Sequence, residues 1–287
     1  MNEFLGYARR GRNDWWRYLA TPVLAVVLVL LVDLITDRWI AQTGLLPKDF
    51  KALTVDPSHP TWFFGYGSLF AAGLLLSLVV SALIVHHKRF TDIIGNWRWS
   101  HVASGAVAGL LVFIVATGID YLVQPAGFRL IMGPQTTTLL LVAVPYALLL
   151  NLFGLFFYCG YLSEGVLLAT KRPLVTAVVV GVLSMVDAKD WPHAAAYFAS
   201  QAVWVLITIR TGGIAFAWGM GIVGDFLGAV VVVDSDSVLR GSPGLFAQTT
   251  HGLAWFDVAV TCILLAAIWL WVVRRYPARE QAADVFA

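Results

Sequence analysis

Asp187 and Asp225 are the residues of this chain best placed to do chemistry, because each stands in or at the edge of an apolar stretch where a carboxylate is out of place. An ionised carboxyl costs free energy in such surroundings. It is expected to turn toward a bundle interior, where it holds a proton, meets a cation or hydrogen-bonds a neighbouring helix. Two carboxyls facing one cavity can also share a proton, the arrangement by which paired acids activate water. Each aspartate has a plainer reading as well. Asp225 can be a neutral group that joins two helices, and Asp187, two residues from Lys189, can belong to a solvated loop.

The remaining polar residues point less sharply. Asp33, Asp120 and Asp257 fall toward the ends of apolar stretches, within reach of water, and read as structural. His86, His87 and His101 lie in or beside a basic loop, where interfacial solvation is expected ahead of haem or chlorin ligation. Glu164 with Lys171 and Arg172 reads as a solvated charged surface. Cys159 and Cys262 both fall in apolar stretches and are expected as free buried thiols, with no zinc-binding spacing around them.

Composition decides what positions these groups. Hydrophobic residues make up 59% of the 287-residue chain and charged residues 13%, with a mean hydropathy of +0.79. That balance belongs to an integral membrane protein. Stretches near the length of a bilayer-crossing helix occur at 21–41, 65–85, 102–123, 136–162, 173–188, 194–209, 213–233 and 252–273. The expected fold class is therefore all-α, a polytopic bundle of about eight transmembrane helices. Strands of an outer-membrane barrel would need alternating ten-residue segments, which the sequence lacks.

Basic residues alternate between the connecting loops. Arg9, Arg10, Arg12 and Arg17 precede the first stretch; Lys88, Arg89 and Arg98 follow the second; Lys171 and Arg172 follow the fourth; Arg210 follows the sixth; Arg274, Arg275 and Arg279 follow the eighth. The positive-inside rule then puts both termini in the cytoplasm. Residues 1–20 form an interfacial segment, 21–275 the membrane domain and 276–287 a polar cytoplasmic tail. The longest outer loop is 42–64, with Pro47, Pro57 and Pro60. Asp33 interrupts the first apolar run and no cleavage site follows it, so that run is an anchor and not a signal peptide. Trp15, Trp16, Trp97, Trp99, Trp269 and Trp271 suit the membrane boundaries. A net charge of +2 and the absence of a phosphate-binding loop give no reason to expect nucleic acid or nucleotide.

One further stretch, Arg210 to Asp225 (RTGGIAFAWGMGIVGD), resembles an active-site helix of the CAAX protease and bacteriocin-processing family, the Abi or CPBP intramembrane endopeptidases. The likeness runs from His86 to Arg275. GRNDWWRYL near the N-terminus and HHKRFTDIIGNWRW resemble a bacterial branch of that family, which implies a bacterial cytoplasmic membrane. Family chemistry rests on Glu-Glu-x-x-x-Arg, Phe-x-x-x-His and His-x-x-x-Asn motifs. By this resemblance, GLFFYCGYL puts Gly154 and Leu155 at the glutamates and Cys159 at the arginine; LSMVD puts Leu183 at the aromatic residue and Asp187 at a histidine. The Arg-Thr-Gly-Gly run puts Gly221 at the other histidine and Asp225 at the asparagine.

Every chemical position departs from the motif. Glycine and leucine cannot activate water, and no imidazole remains to orient it or to stabilise an oxyanion. The resemblance therefore implies ancestry and fold but not catalysis. IVGDF also approaches the GxGD pattern of intramembrane aspartyl proteases and misses it at Ile222. Gly219, Gly221, Gly224 and Gly228 line one helix, with Gly224 and Gly228 spaced for close contact, so the old cavity is expected to be filled by a neighbouring helix or a lipid chain. No other cofactor is expected. Three readings follow: a non-catalytic accessory or assembly subunit of a larger membrane complex; a transport, lipid-handling or regulatory protein using Asp225; or an endopeptidase of altered mechanism.

Overall fold

Prolines, glycines and left-handed residues punctuate the helices of this chain. A computed structural model describes residues 3–43, 46–47, 50–234, 239–249 and 254–276. The tail beyond Tyr276 and parts of the 42–64 loop lie outside the described residues. A short α1 (Glu3–Ala8) precedes α2 (Trp15–Thr43), and α3 (Phe50–Val55) precedes α4 (Pro60–His86). Pro60 opens α4, where a missing N–H costs nothing, and His87 closes it with φ 55°. Next come α5 (Phe90–Ile94), α6 (Trp99–Val123) and α7 (Thr136–Leu155). α7 continues through a π-helical segment, Phe156–Leu162, into α8 (Ser163–Thr170), which Lys171 ends at φ 55°. The sequence placed the end of this helix at 162; it runs two turns further.

α9 (Pro173–Leu183) passes through a 3-10 turn, Ser184–Asp187, and α10 (Trp191–Thr211) follows. Asp190 caps α10 by accepting from the His193 backbone N–H at 2.9 Å, and that bond holds its carboxyl below the ordinary aspartate range. Gly212, at φ +84°, ends α10 and allows the turn into α11 (Ala215–Val230). α12 (Ala254–Arg275) is last. Each of the eight apolar stretches thus contains a helix. Five helical runs, α2, α4, α6, α7 with α8, and α12, are long and apolar enough to cross a membrane; α9 and α11 are apolar but shorter. The protein is a multi-pass membrane helix bundle.

Three short strands accompany the helices in the connecting loops. β1 (Phe128–Leu130), β2 (Val232–Asp234) and β3 (Phe246–Gln248) form a sheet in the order β1-β3-β2, antiparallel on one side of β3 and parallel on the other. It ties the end of α11 to the end of α6. Gln248 Nε2 donates to Asp120 at 3.0 Å there, which accounts for that aspartate.

Packing runs in sequence around the bundle: α2 on α4, α4 on α7, α7 on α11, α11 on α6, α6 on α12, α12 on α10 and α10 on α9. The closest crossing joins α6 and α11. A β-carbon on Gly105 would stand 2.9 Å from the Phe216 carbonyl carbon, one on Gly109 2.5 Å from Met220 O, and one on Gly219 2.8 Å from the Val102 carbonyl carbon. Small residues let these backbones meet, as membrane helices require when hydrophobic driving force is absent between them. Gly224 and Gly228, expected to make such a contact, have nothing within 4 Å of a β-carbon. Outward faces are apolar: Leu30 and Ile35 on α2, Leu111 and Leu122 on α6 and Leu174 on α9 are all exposed. Cys262, expected buried, is exposed as well, whereas Cys159 is enclosed.

Candidate functional site

Asp225 and Asn151 meet at mid-depth of the bundle. Asn151 stands close to the middle of the continuous helical run Thr136–Thr170 and donates from Nδ2 to Asp225 Oδ2 at 2.9 Å. Asn151 is 7% exposed and its Oδ1 has no partner. Gly221, one turn before Asp225, makes room for that amide: a β-carbon there would stand 2.5 Å from Asn151 Oδ1 and 2.6 Å from Cγ. Tyr146 on α7 is the next polar neighbour of Asp225, packed edge-on against Phe64 and over Gly67.

Asp225 itself reaches the molecular surface although the bundle surrounds most of its side chain. It sits in a recess. Gly224 and Gly228 flank it on α11, and Gly154 lies one turn along α7 from Asn151; none of the three has an atom within 4 Å of where a β-carbon would be. No neighbouring helix fills the space at these positions, and filling by a side chain of the chain itself is confined to Gly221. An apolar groove of about 430 Å³ between α6, α7 and α11 is lined by Leu110, Val144, Leu148, Ile222 and Phe226 and does not include Asp225.

The other aligned positions are not gathered around this carboxyl. Leu155 is buried in the core with Phe156 and Ala217. Cys159 belongs to the π segment, is fully enclosed and accepts from Gln201 Nε2 at 3.3 Å. Ser163 Oγ back-bonds to the Cys159 carbonyl, and Gly160 lies against Ile93, so α5 holds this segment in place. Leu183 is the last residue of α9, with an exposed side chain. Asp187 ends the 3-10 turn between α9 and α10, with its side chain outside the described residues. Among the described residues no group of three His, Cys, Asp or Glu side chains could hold a metal ion.

A second polar cluster lies at the end of the bundle where the basic loops meet. Lys88 and Glu164 form an ion pair at 2.7 Å with both side chains 0% exposed. Lys88 Nζ also donates to Ala8 O at 2.9 Å and to Tyr18 Oη at 3.2 Å, while Glu164 Oε1 has no partner. His86 bridges Arg12 O at 2.7 Å and Tyr161 Oη at 2.9 Å. Arg17 donates to Val85 O, Arg10 to Asp92 at 2.9 Å, and Asn96 to Glu3 at 2.8 Å. These bonds seat the N-terminal segment, whose own Phe4 and Ala8 are buried against the bundle.

Here the sequence reading is corrected. Glu164 is not solvated, because Lys88 reaches in from the α4–α5 turn to neutralise it. His86 and His101 are buried in the protein and not solvated, and of these three histidines His87 alone is exposed. Neither Asn151 nor the Lys88–Glu164 pair was singled out from sequence. A signal existed for the first: Asn151 is the one amide in the apolar run 136–162 and precedes Gly154 and Leu155 by one helical turn.

No family model, no curated protein and no solved structure matches this chain. The likeness to CAAX-type proteases rests on the residues quoted for it.

Proposed function

We propose that this protein is a non-catalytic subunit of a larger membrane complex, built on the fold of the CAAX protease and bacteriocin-processing family and retained for assembly. The observation that carries this reading is the Asn151–Asp225 pair. The mid-depth carboxyl is engaged by an amide, which neither accepts nor relays a proton, where an intramembrane protease would need an imidazole, a cation or a second acid beside it. Gly154, Leu155, Cys159 and Gly221 add no base, guanidinium or imidazole. The proposed location is a bacterial cytoplasmic membrane, with eight spans, both termini in the cytoplasm and lipid against the outward faces. Its partners are other membrane subunits and lipids, and not nucleic acid.

Gentle detergent extraction from the native membrane tests this reading. A stoichiometric complex with defined partners is expected, together with no cleavage of prenylated or bacteriocin-like peptides by the purified chain. Cleavage that survives changing both Asp187 and Asp225, with contaminants excluded, would remove this account of the site. Cleavage or proton-coupled transport lost on changing Asp225 alone would favour the other two readings, to which the open recess at Asp225 lends its support.

A further inference from the structure

We infer that the recess at Asp225 receives a transmembrane helix of a different protein, one carrying a lysine or arginine at mid-depth. This rests on the accessory-subunit reading and says where, and by what chemistry, the partner docks.

Three observations converge on the recess. Gly224 and Gly228 leave a backbone-deep opening one turn long on α11, which a helix can approach closely. Asp225 lies at that opening with Oδ2 taken by Asn151, and Oδ1 has no hydrogen-bond partner among the described residues. Asn151, more than nine-tenths buried, keeps its own Oδ1 unpartnered beside Gly221. Asp225 Oδ1 is therefore the acceptor at the opening, and Asn151 Oδ1, enclosed against Gly221, adds a second unsatisfied acceptor beside it. A carboxyl left this way inside a membrane is costly, and a donor from outside the chain relieves the cost.

Charge and depth narrow the occupant. Lipid head-group amines stop at the interface, about 15 Å from the middle of a hydrocarbon core roughly 30 Å thick. A bare metal ion would need further protein ligands, and no group of three suitable side chains occurs among the described residues. A second copy of this chain offers little: α4, α6, α7, α8, α9 and α11 contain no lysine or arginine, those of α10 and α12 stand in the last turn, and exposed Arg38 of α2 is left as its one candidate, which the pairing of two tagged copies addresses. A helix from another protein with a central Lys or Arg supplies both the donor and the counter-charge.

The test co-expresses the full chain with a designed single-span Ala/Leu helix bearing one central lysine, and with matched helices whose central residue is leucine or glutamine. Association is read by energy transfer between fluorescent tags in the membrane. The lysine helix is expected to associate about tenfold more than the leucine helix, with glutamine between them. Asp225→Asn and, separately, Gly228→Leu should each reduce the lysine helix to the leucine level, and unchanged thermal unfolding of Asp225→Asn in detergent shows that the bundle is intact. Equal association of lysine and leucine helices, or no effect of Asp225→Asn, overturns the inference. So does pairing of two differently tagged copies of this chain that is lost in Asp225→Asn, which would make the occupant a second copy. If the lysine helix fails while the chain still leaves native membranes in a defined complex, the docking place is wrong and the accessory reading stands. If both fail, both are wrong.

Discussion

Gly221 lies so close to Asn151 that a β-carbon at 221 would overlap the amide, 2.6 Å from its Cγ. The position that the family resemblance assigns to a histidine is thus neither empty nor chemically available. It is filled by a side chain from the facing helix, whose amide is held in turn by Asp225.

Gly221→Ala is therefore expected to destabilise the bundle by about 1–3 kcal/mol through overpacking. The double variant Asn151→Ala/Gly221→Ala should be more stable than the two single effects added together, because removing the amide removes the clash. Thermal unfolding in detergent measures both. Strict additivity would mean that the two residues do not share this contact.

Asp225 allows a second prediction. Asp225→Asn keeps a group that can accept from Asn151 and should leave the unfolding temperature of the isolated chain unchanged. Asp225→Leu strands the buried Asn151 amide and should cost about 1–2 kcal/mol. If Asn destabilises as much as Leu, the carboxylate charge contributes something that the amide pairing does not describe.

The α6–α11 crossing yields a third. Gly105→Ala and Gly219→Ala each push a β-carbon into backbone atoms of the opposite helix, which cannot move aside as a flexible side chain could. Both should lower yield and unfolding temperature more than Gly224→Ala or Gly228→Ala, whose β-carbons meet open space. Equal effects at all four sites would place the tight crossing elsewhere.

Much of the fold was legible because apolar runs announce membrane helices: each of the eight stretches holds one, within a few residues except where the fourth runs on into α8. What failed to show depends on partners far apart in sequence. Gly224 and Gly228 have the spacing of a helix contact, yet Gly105, Gly109 and Gly219 make it, and only the azimuth of α11 decides between them. Lys88 looked like one more topogenic cation, and Glu164 like a surface acid. Their pairing joins the start of α5 to the start of α8, which no local pattern encodes. Asn151 was hidden by the alignment itself, since the motif directs attention to Gly154 and Leu155 one turn away.

Topology provides a fourth prediction. In a Cys262→Ser background, impermeant thiol reagents applied to intact cells should label Ser58→Cys and fail to label Ser100→Cys or Arg172→Cys, because the basic loops are expected in the cytoplasm. All three positions are exposed, so access alone decides the outcome. Labelling of the latter pair from outside would invert the orientation.

The last prediction concerns the pair that seats the N-terminal segment. Lys88 and Glu164 are both fully buried at 2.7 Å, so removing either leaves a buried charge without its counter-charge. Lys88→Met alone should cost about 3–5 kcal/mol. It should also loosen the N-terminal segment, since Lys88 bonds the Ala8 carbonyl and Tyr18. Hydrogen exchange over residues 3–18 would register that loosening. The double variant Lys88→Met/Glu164→Met replaces the ion pair by apolar side chains and should recover most of the lost stability, while leaving exchange at residues 3–18 raised, because the bond to Ala8 is not restored. A double variant as unstable as the single one would show that Lys88 acts mainly through its bonds to Ala8 and Tyr18, and that neutralising Glu164 is the smaller part of its role.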